Sequence, residues 1–133
     1  NLSECAEFRT EKFMLDEIHT GHNLSMITVA ASEKNACYYR CPYDGGALFV
    51  QIEGLPESVF APISLDELAR EFLELIRSFY CDHKLLAAGF LHQNGYSFED
   101  SGDFLSSTDG KRTLRFDFEE IDGFFRVVNI SLQ

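Results

Sequence analysis

The chain has 133 residues, 45% hydrophobic and 25% charged, with 22 Asp and Glu against 11 Lys and Arg for a formal charge of −11. That composition belongs to a folded protein rather than a disordered one, and the length fits one domain (residues 1–133) burying roughly 65–70% of its unfolded surface. So acidic a field repels nucleic acid and anionic membranes, and no window approaches the roughly 18 consecutive apolar residues of a membrane span, so neither is expected as a partner.

The chain opens on Asn1-Leu2-Ser3-Glu4, without a basic or apolar leader and without Met, as a trimmed or processed start would read. Phe13, Met14, Leu15 and Ile18 fit one face of a short helix, although Phe8–Phe13 also fits a strand. Strands are predicted at Leu24–Ala31, Ala36–Cys41 and Ala47–Glu53, the last two forming a hairpin through Pro42-Tyr43-Asp44-Gly45-Gly46. The strongest element is a helix from Ser64 to about Tyr80. Ser64 and Glu67 have capping-box spacing, and Leu65, Leu68, Ala69, Phe72, Leu73, Leu75, Ile76, Phe79 and Tyr80 share an apolar arc of about 160°. On its polar side, Glu67–Arg70 and Glu74–Arg77 are spaced for i,i+3 ion pairs.

Leu85–Leu91 fits either an extension of that helix to Gly89 or a strand returning through Asn94-Gly95. Asn94-Gly95, Asp109-Gly110 and Asp122-Gly123 are hairpin-type turn signals. Between the last two, Leu114, Phe116 and Phe118 alternate with Arg115, Asp117 and Glu119, and Phe124–Leu132 reads as a closing strand. The predicted fold is α+β: an antiparallel, mostly meandering sheet with one dominant amphipathic helix on a face.

Motifs for chemistry are sparse. Cys37 and Cys41 share a strand face but lie about 13 Å apart, too far for one disulfide or one zinc. The cysteines (Cys5, Cys37, Cys41, Cys81) are read as reduced thiols of a cytoplasmic protein. His19 and His22 lie near Asp16 and Glu17, and a carboxylate can orient an imidazole, yet no nucleophile motif accompanies them. Neither GxxxxGK[ST], GxGxxG nor calcium-loop spacing occurs, so no cofactor and no metal is expected.

What stands out is the distribution of acid. Residues 1–62 carry 9 acids and 4 bases, residues 63–133 carry 13 and 7, so the surplus belongs to the folded surface rather than to a tail. It concentrates at Glu99, Asp100 and Asp103, within a stretch (Leu85–Gly110) that has no Lys or Arg, and again at Asp117, Glu119, Glu120 and Asp122. Converging, these seven carboxylates would capture the Lys and Arg side chains of a basic protein. The leading expectation is therefore a non-catalytic acidic binder, of which a bacterial immunity or antitoxin-like inhibitor of a basic nuclease toxin is the natural instance.

Two other readings compete. The order helix, three strands, helix, strands is similar to that of the type III secretion chaperones, which would imply binding of an extended effector segment over hydrophobic grooves. The terminal strands depart from that family, which closes with a helix. Thirteen Phe and five Tyr without Trp also fit an enzyme or small-ligand binder with a Phe-lined pocket and a His beside a carboxylate. Whether the chain is a monomer or a homodimer is left open by its residues.

Overall fold

In a computed structural model of the protein, the residues described are 9–12, 14–17, 19–32 and 35–133. The fold is α+β, with three α-helices and two antiparallel sheets. The chain divides into two compact units, Asn1–Phe60 and Ala61–Gln133.

In the first unit, α1 (Gly21–Ala31) precedes a hairpin of β1 (Ala36–Tyr43) and β2 (Gly46–Glu53), and a 3-10 turn follows at Glu57–Phe60. The hairpin forms as its turn residues predict, but each strand runs further, so only Asp44-Gly45 makes the turn. The segment expected to be a strand at Leu24–Ala31 is instead helical. Ile27, Thr28 and Val29 are β-branched and carried the strand signal. The helix instead starts at an N-cap and accommodates two hydroxyls of its own. The Thr20 hydroxyl caps the Asn23 N–H at 3.1 Å, and the Ser25 and Thr28 hydroxyls donate to the Gly21 and Leu24 carbonyls at 2.6 and 2.7 Å. Gly21 has a steric role as well: a Cβ there would meet the Phe49 ring at 2.5 Å, so the first turn of α1 approaches β2 closely only without a side chain. Of the helix expected before His22, Met14 and Leu15 are irregular, while Phe8, Phe13 and Ile18, like Cys5, lie outside the described residues.

In the second unit, α2 (Leu65–Ser78) starts at the predicted capping box, where Glu67 N–H donates to Ser64 Oγ at 3.4 Å and Ser64 N–H to Glu67 Oε2 at 3.1 Å. Because Glu67 is held in the cap, Arg70 pairs with Glu71 (3.4 Å) rather than with Glu67, whereas Arg77–Glu74 forms at 2.8 Å as expected. The chain then extends briefly and starts a separate helix, α3 (His83–Gln93), capped by Asp82. Leu85–Leu91 therefore neither prolongs α2 nor forms a strand. Asn94-Gly95 ends α3 instead of turning a hairpin: Tyr96 N–H returns to the Leu91 carbonyl and Gly95 N–H to the His92 carbonyl, each at 3.0 Å, with Gly95 at φ +77°. This is the double bond pattern of a Schellman cap, whose left-handed position favours glycine as a hairpin turn does, so the dipeptide alone does not distinguish them.

Four strands complete this unit as a meander: β3 (Phe98–Asp100), β4 (Phe104–Thr108), β5 (Thr113–Ile121) and β6 (Phe124–Leu132), in the order β3-β4-β5-β6. Alternation on β5 buries Leu114, Phe116 and Phe118 on the face covered by the helices and leaves Arg115, Asp117 and Glu119 on the other. Leu65, Leu68 and Phe72 of α2 and Ala87 and Leu91 of α3 close that core with Leu105 of β4. Phe72 and Phe116 meet edge-on at 4.9 Å between ring centres. Asn94 and Tyr96 tie the approach to α2: Ile63 N–H donates to Asn94 Oδ1, and the Tyr96 hydroxyl to the Ile63 carbonyl, both at 2.9 Å.

Candidate functional site at the acidic end of the four-stranded sheet

Strand register decides where the predicted carboxylates lie. Phe104 pairs with Asp117, and Phe118 N–H donates to the Asp103 carbonyl at 2.8 Å, so the β3–β4 turn abuts the middle of β5. Beyond it the β5–β6 hairpin continues through Glu119, Glu120 and Ile121 to the turn at Asp122-Gly123, whose φ of 53° and 80° are those of a type I′ turn. Asp103, Asp117, Glu119, Glu120 and Asp122 thus gather at one end of the sheet, with Asp100 beside them. Glu99 does not join them, since it pairs with Ser106, level with Arg115 and further down the sheet. The group also straddles the sheet. Asp100 and Glu120 lie on the helix-covered side, Asp117 and Glu119 on the opposite one. Glu99 and Asp100 belong to β3 itself.

Two of the seven are committed within the fold. Asp100 receives Lys84 Nζ at 2.8 Å, and that ammonium also donates to the Gly102 carbonyl at 2.8 Å and sits 5.0 Å from the centre of the Phe125 ring. The Lys84 hydrogen bond, seconded by Gly102 N–H, holds the Asp100 carboxyl below its usual range. Lys84 immediately precedes the base-free stretch, and folding turns it back onto that stretch. Asp117 accepts from Asn129 Nδ2 at 2.9 Å and from Arg115 Nε at 2.7 Å, which lowers its pKa in the same order of importance. The Arg115 guanidinium in turn lies 3.7 Å from the Phe104 ring centre.

Arg126, the third cation here, is the cross-strand neighbour of Glu119 but turns away from it. It donates to the Cys81 carbonyl at 2.7 Å and lies over the Tyr80 and Phe124 rings at 4.5 and 5.3 Å. Glu99, Asp103, Glu119, Glu120 and Asp122 are exposed and form no ion pair among the described residues. Lysine and arginine are therefore not absent from this end; each is drawn into a ring and a carbonyl or carboxylate of its own unit, leaving the remaining carboxylates outward.

Sequence patterns missed the latch behind this end. Asp82 Oδ1 caps α3 by accepting Leu85 N–H, and its Oδ2 accepts Phe125 N–H from the outer edge of β6, both at 2.8 Å. His83 Nδ1 accepts the next outward amide, Val127 N–H, at 3.2 Å. An Asp just before the apolar run at Leu85–Ala88 was a legible cap signal. The two edge bonds connect residues more than forty positions apart and had no local trace.

Burial first, and then the Arg126 guanidinium, lowers the His83 pKa below its ordinary 6.5. A proton on Nδ1 would face Val127 N–H and place a cation 3.4 Å from Arg126 Nη1. Because the folded pKa is the depressed one, stability from this site is complete above pH 6.5 and falls as pH drops from there toward the folded value. We expect urea midpoints to decline across that window and His83→Gln to flatten the decline. An unchanged slope in the variant would assign the pH dependence elsewhere. The lowered carboxyls of Asp100 and Asp117 act further down, where stability is lost as pH falls below about 4.

Other candidates are less assembled. His19 Nδ1 lies 2.8 Å from Asp16 Oδ2, the expected orienting carboxylate, and His22 Nδ1, on α1, lies 3.2 Å from the hydroxyl of Tyr38 on β1. Cys37, Cys41 and Cys81 are half-buried thiols outside any disulfide. Among the described residues, no three His, Cys, Asp or Glu side chains are grouped to hold a metal, and no helix is long and apolar enough to cross a membrane. A groove of about 420 Å³ is open and lined by Ser97, Phe98, Glu99, Ser106, Ser107, Thr108 and Thr113, whereas Phe72, Phe116 and Phe118 fill the core. No family model matches the chain, and no curated protein or solved structure shows detectable similarity to it.

Proposed function

We propose that this chain is a non-catalytic acidic binding protein that engages a cationic protein through the β3–β4 turn and the β5–β6 hairpin. The reading rests on one observation: Lys84, Arg115 and Arg126 are engaged within the second unit, while Asp103, Glu119, Glu120 and Asp122 project at the same end without ion pairs among the described residues. Such an array accelerates encounter with a basic surface and selects against anionic ones. An immunity or antitoxin-like inhibitor of a basic nuclease, acting in a bacterial cytoplasm, is the biological setting that suits it best. A nuclease active site must itself be positive to hold its substrate, and an acidic cover complements it.

The test is capture of proteins from the native source on the immobilised chain at low and high salt, followed by association kinetics on what elutes. Basic proteins released by salt, with association slowed about tenfold by combined Asp103→Asn, Glu119→Gln, Glu120→Gln and Asp122→Asn and dissociation little changed, are the expected outcome. Binding indifferent to ionic strength, or unaltered by those substitutions, would sink the reading. Glu99→Gln, away from the cluster, is expected to alter the rate far less.

A second reading draws on the first unit. On its hairpin, Tyr39, Tyr43 and Leu48 are 59%, 64% and 59% exposed, an apolar surface suited to an extended client segment of the kind a secretion chaperone holds.

A further inference from the structure

The edge of the four-stranded sheet at β6 is protected over only part of its length. Phe125 and Val127 direct their amides away from β5, and Asp82 and His83 accept them. A bulge then intervenes: Asp117 pairs with Asn129 and Phe118 with Val127, leaving Val128 as the extra residue. Past the bulge, Thr113 and Gln133 exchange both backbone bonds, at 2.8 and 3.1 Å, which fixes the alternation. Asn129, Ser131 and Gln133 face β5, so Ile130 and Leu132 direct their N–H and C=O groups outward. Those groups have no partner among the described residues. The opposite edge, β3, is three residues long and carries Glu99 and Asp100, two features that deter pairing. Val128–Leu132 is uncharged and rich in β-branched and apolar residues, and has neither safeguard.

We propose that the Val128–Leu132 edge pairs antiparallel with the same edge of a second copy of this chain, about a two-fold axis at Ser131. In that register Ile130 lies opposite Leu132 of the other copy, and Leu132 opposite its Ile130. All four outward N–H groups then find a carbonyl, and two four-stranded sheets become one of eight strands. The side chains match as well. Ile130 and Leu132, which pack on the core face, continue that apolar face across the axis, and the small hydroxyls of the two Ser131 residues meet on the other face.

Charge selects a second copy over a basic peptide. No carboxylate lies on this strip, and the nearest, Asp117, is already held by Asn129 and Arg115, so a cationic segment gains nothing electrostatic here. Two chains of charge −11 approach most easily along an uncharged edge. The contact is small, so dissociation on the order of 100 μM is expected, and added salt should strengthen it by screening repulsion. That salt response is opposite in sign to the one expected for a cationic partner at the acidic end, so the two proposals fail separately.

Sedimentation velocity on the whole chain from about 10 μM to 1 mM tests the proposal, alongside Ser131→Lys and oxidative cross-linking of Ser131→Cys and Asn129→Cys. Ser131 faces its own copy as a non-hydrogen-bonded pair, with Cα atoms about 4.5 Å apart and within disulfide reach. We expect a monomer–dimer equilibrium that Ser131→Lys weakens at least about tenfold. Ser131→Cys should cross-link about tenfold faster than Asn129→Cys above the wild-type background, with circular dichroism unchanged in each variant. A monomer throughout overturns the proposal. A dimer indifferent to Ser131→Lys, or equal cross-linking at both positions, places the contact elsewhere and overturns it too.

Discussion

Phe72→Ala is expected to destabilise the second unit by about 3–5 kcal/mol. Phe72 is fully buried on α2, meeting Phe116 edge-on at 4.9 Å and the His83 ring at 6.4 Å between centres. Truncation removes apolar burial and also leaves a cavity between helix and sheet that these partners cannot collapse to fill. Against a typical domain stability of about 5–15 kcal/mol the variant is marginal at 25 °C. Urea unfolding measures it: the midpoint should fall sharply with little change in slope. Leu73→Ala is the internal comparison, because Leu73 is adjacent in sequence but 38% exposed and should cost about 1 kcal/mol or less. Comparable losses in the two variants would mean that α2 does not bury the face assigned to it.

Asp82→Ala is expected to cost about 2–3 kcal/mol, far more than a helix cap alone. One carboxylate serves two distant donors, Leu85 N–H at the start of α3 and Phe125 N–H on the edge of β6. Alanine leaves both without an acceptor and unlatches the edge from the helix. Asparagine keeps one acceptor oxygen, so Asp82→Asn should lose about half as much. Hydrogen exchange supplies a second reading, with Phe125 and Val127 amides accelerated together in Asp82→Ala while the β4–β5 amides stay protected. Unchanged Phe125 exchange would show that the latch does not hold the edge.

The two substitutions fall on opposite sides of what a sequence discloses. Phe72 was legible because helical periodicity and the capping box at Ser64 and Glu67 place it on the buried face without reference to any other element. Asp82 was legible only in part, as a cap, since its second bond depends on β6 lying alongside. The acidic end divides similarly. The types and local clustering of its seven carboxylates were apparent from the chain. Which of them project was not, because Lys84 reaches Asp100 across sixteen residues and Arg115 and Asn129 reach Asp117 from neighbouring strand positions. Glu99 separates from the rest because strand register, rather than proximity in sequence, sets spacing across a sheet.

Local chemistry also misled at two places. The β-branched run at Ile27–Val29 favours a strand, yet the segment is a helix whose start Thr20 caps. Asn94-Gly95 provides a left-handed residue, which a hairpin and a helix terminus both require.

By itself, then, the sequence determined the α+β class, the amphipathic α2, the hairpin of β1 and β2, the alternation of β5 and the sign of the field. Each depends on side-chain periodicity, short-range turn chemistry or composition. Tertiary structure alone decided that α3 is a separate helix capped by Asp82, that five carboxylates gather at one end of the sheet while Glu99 stands apart, and that the edge of β6 is latched over one half and, among the described residues, unpartnered over the other. These are matters of register and of bonds between residues distant in sequence. A chain read locally names the groups that can bond, and only the packed sheet determines which of them meet.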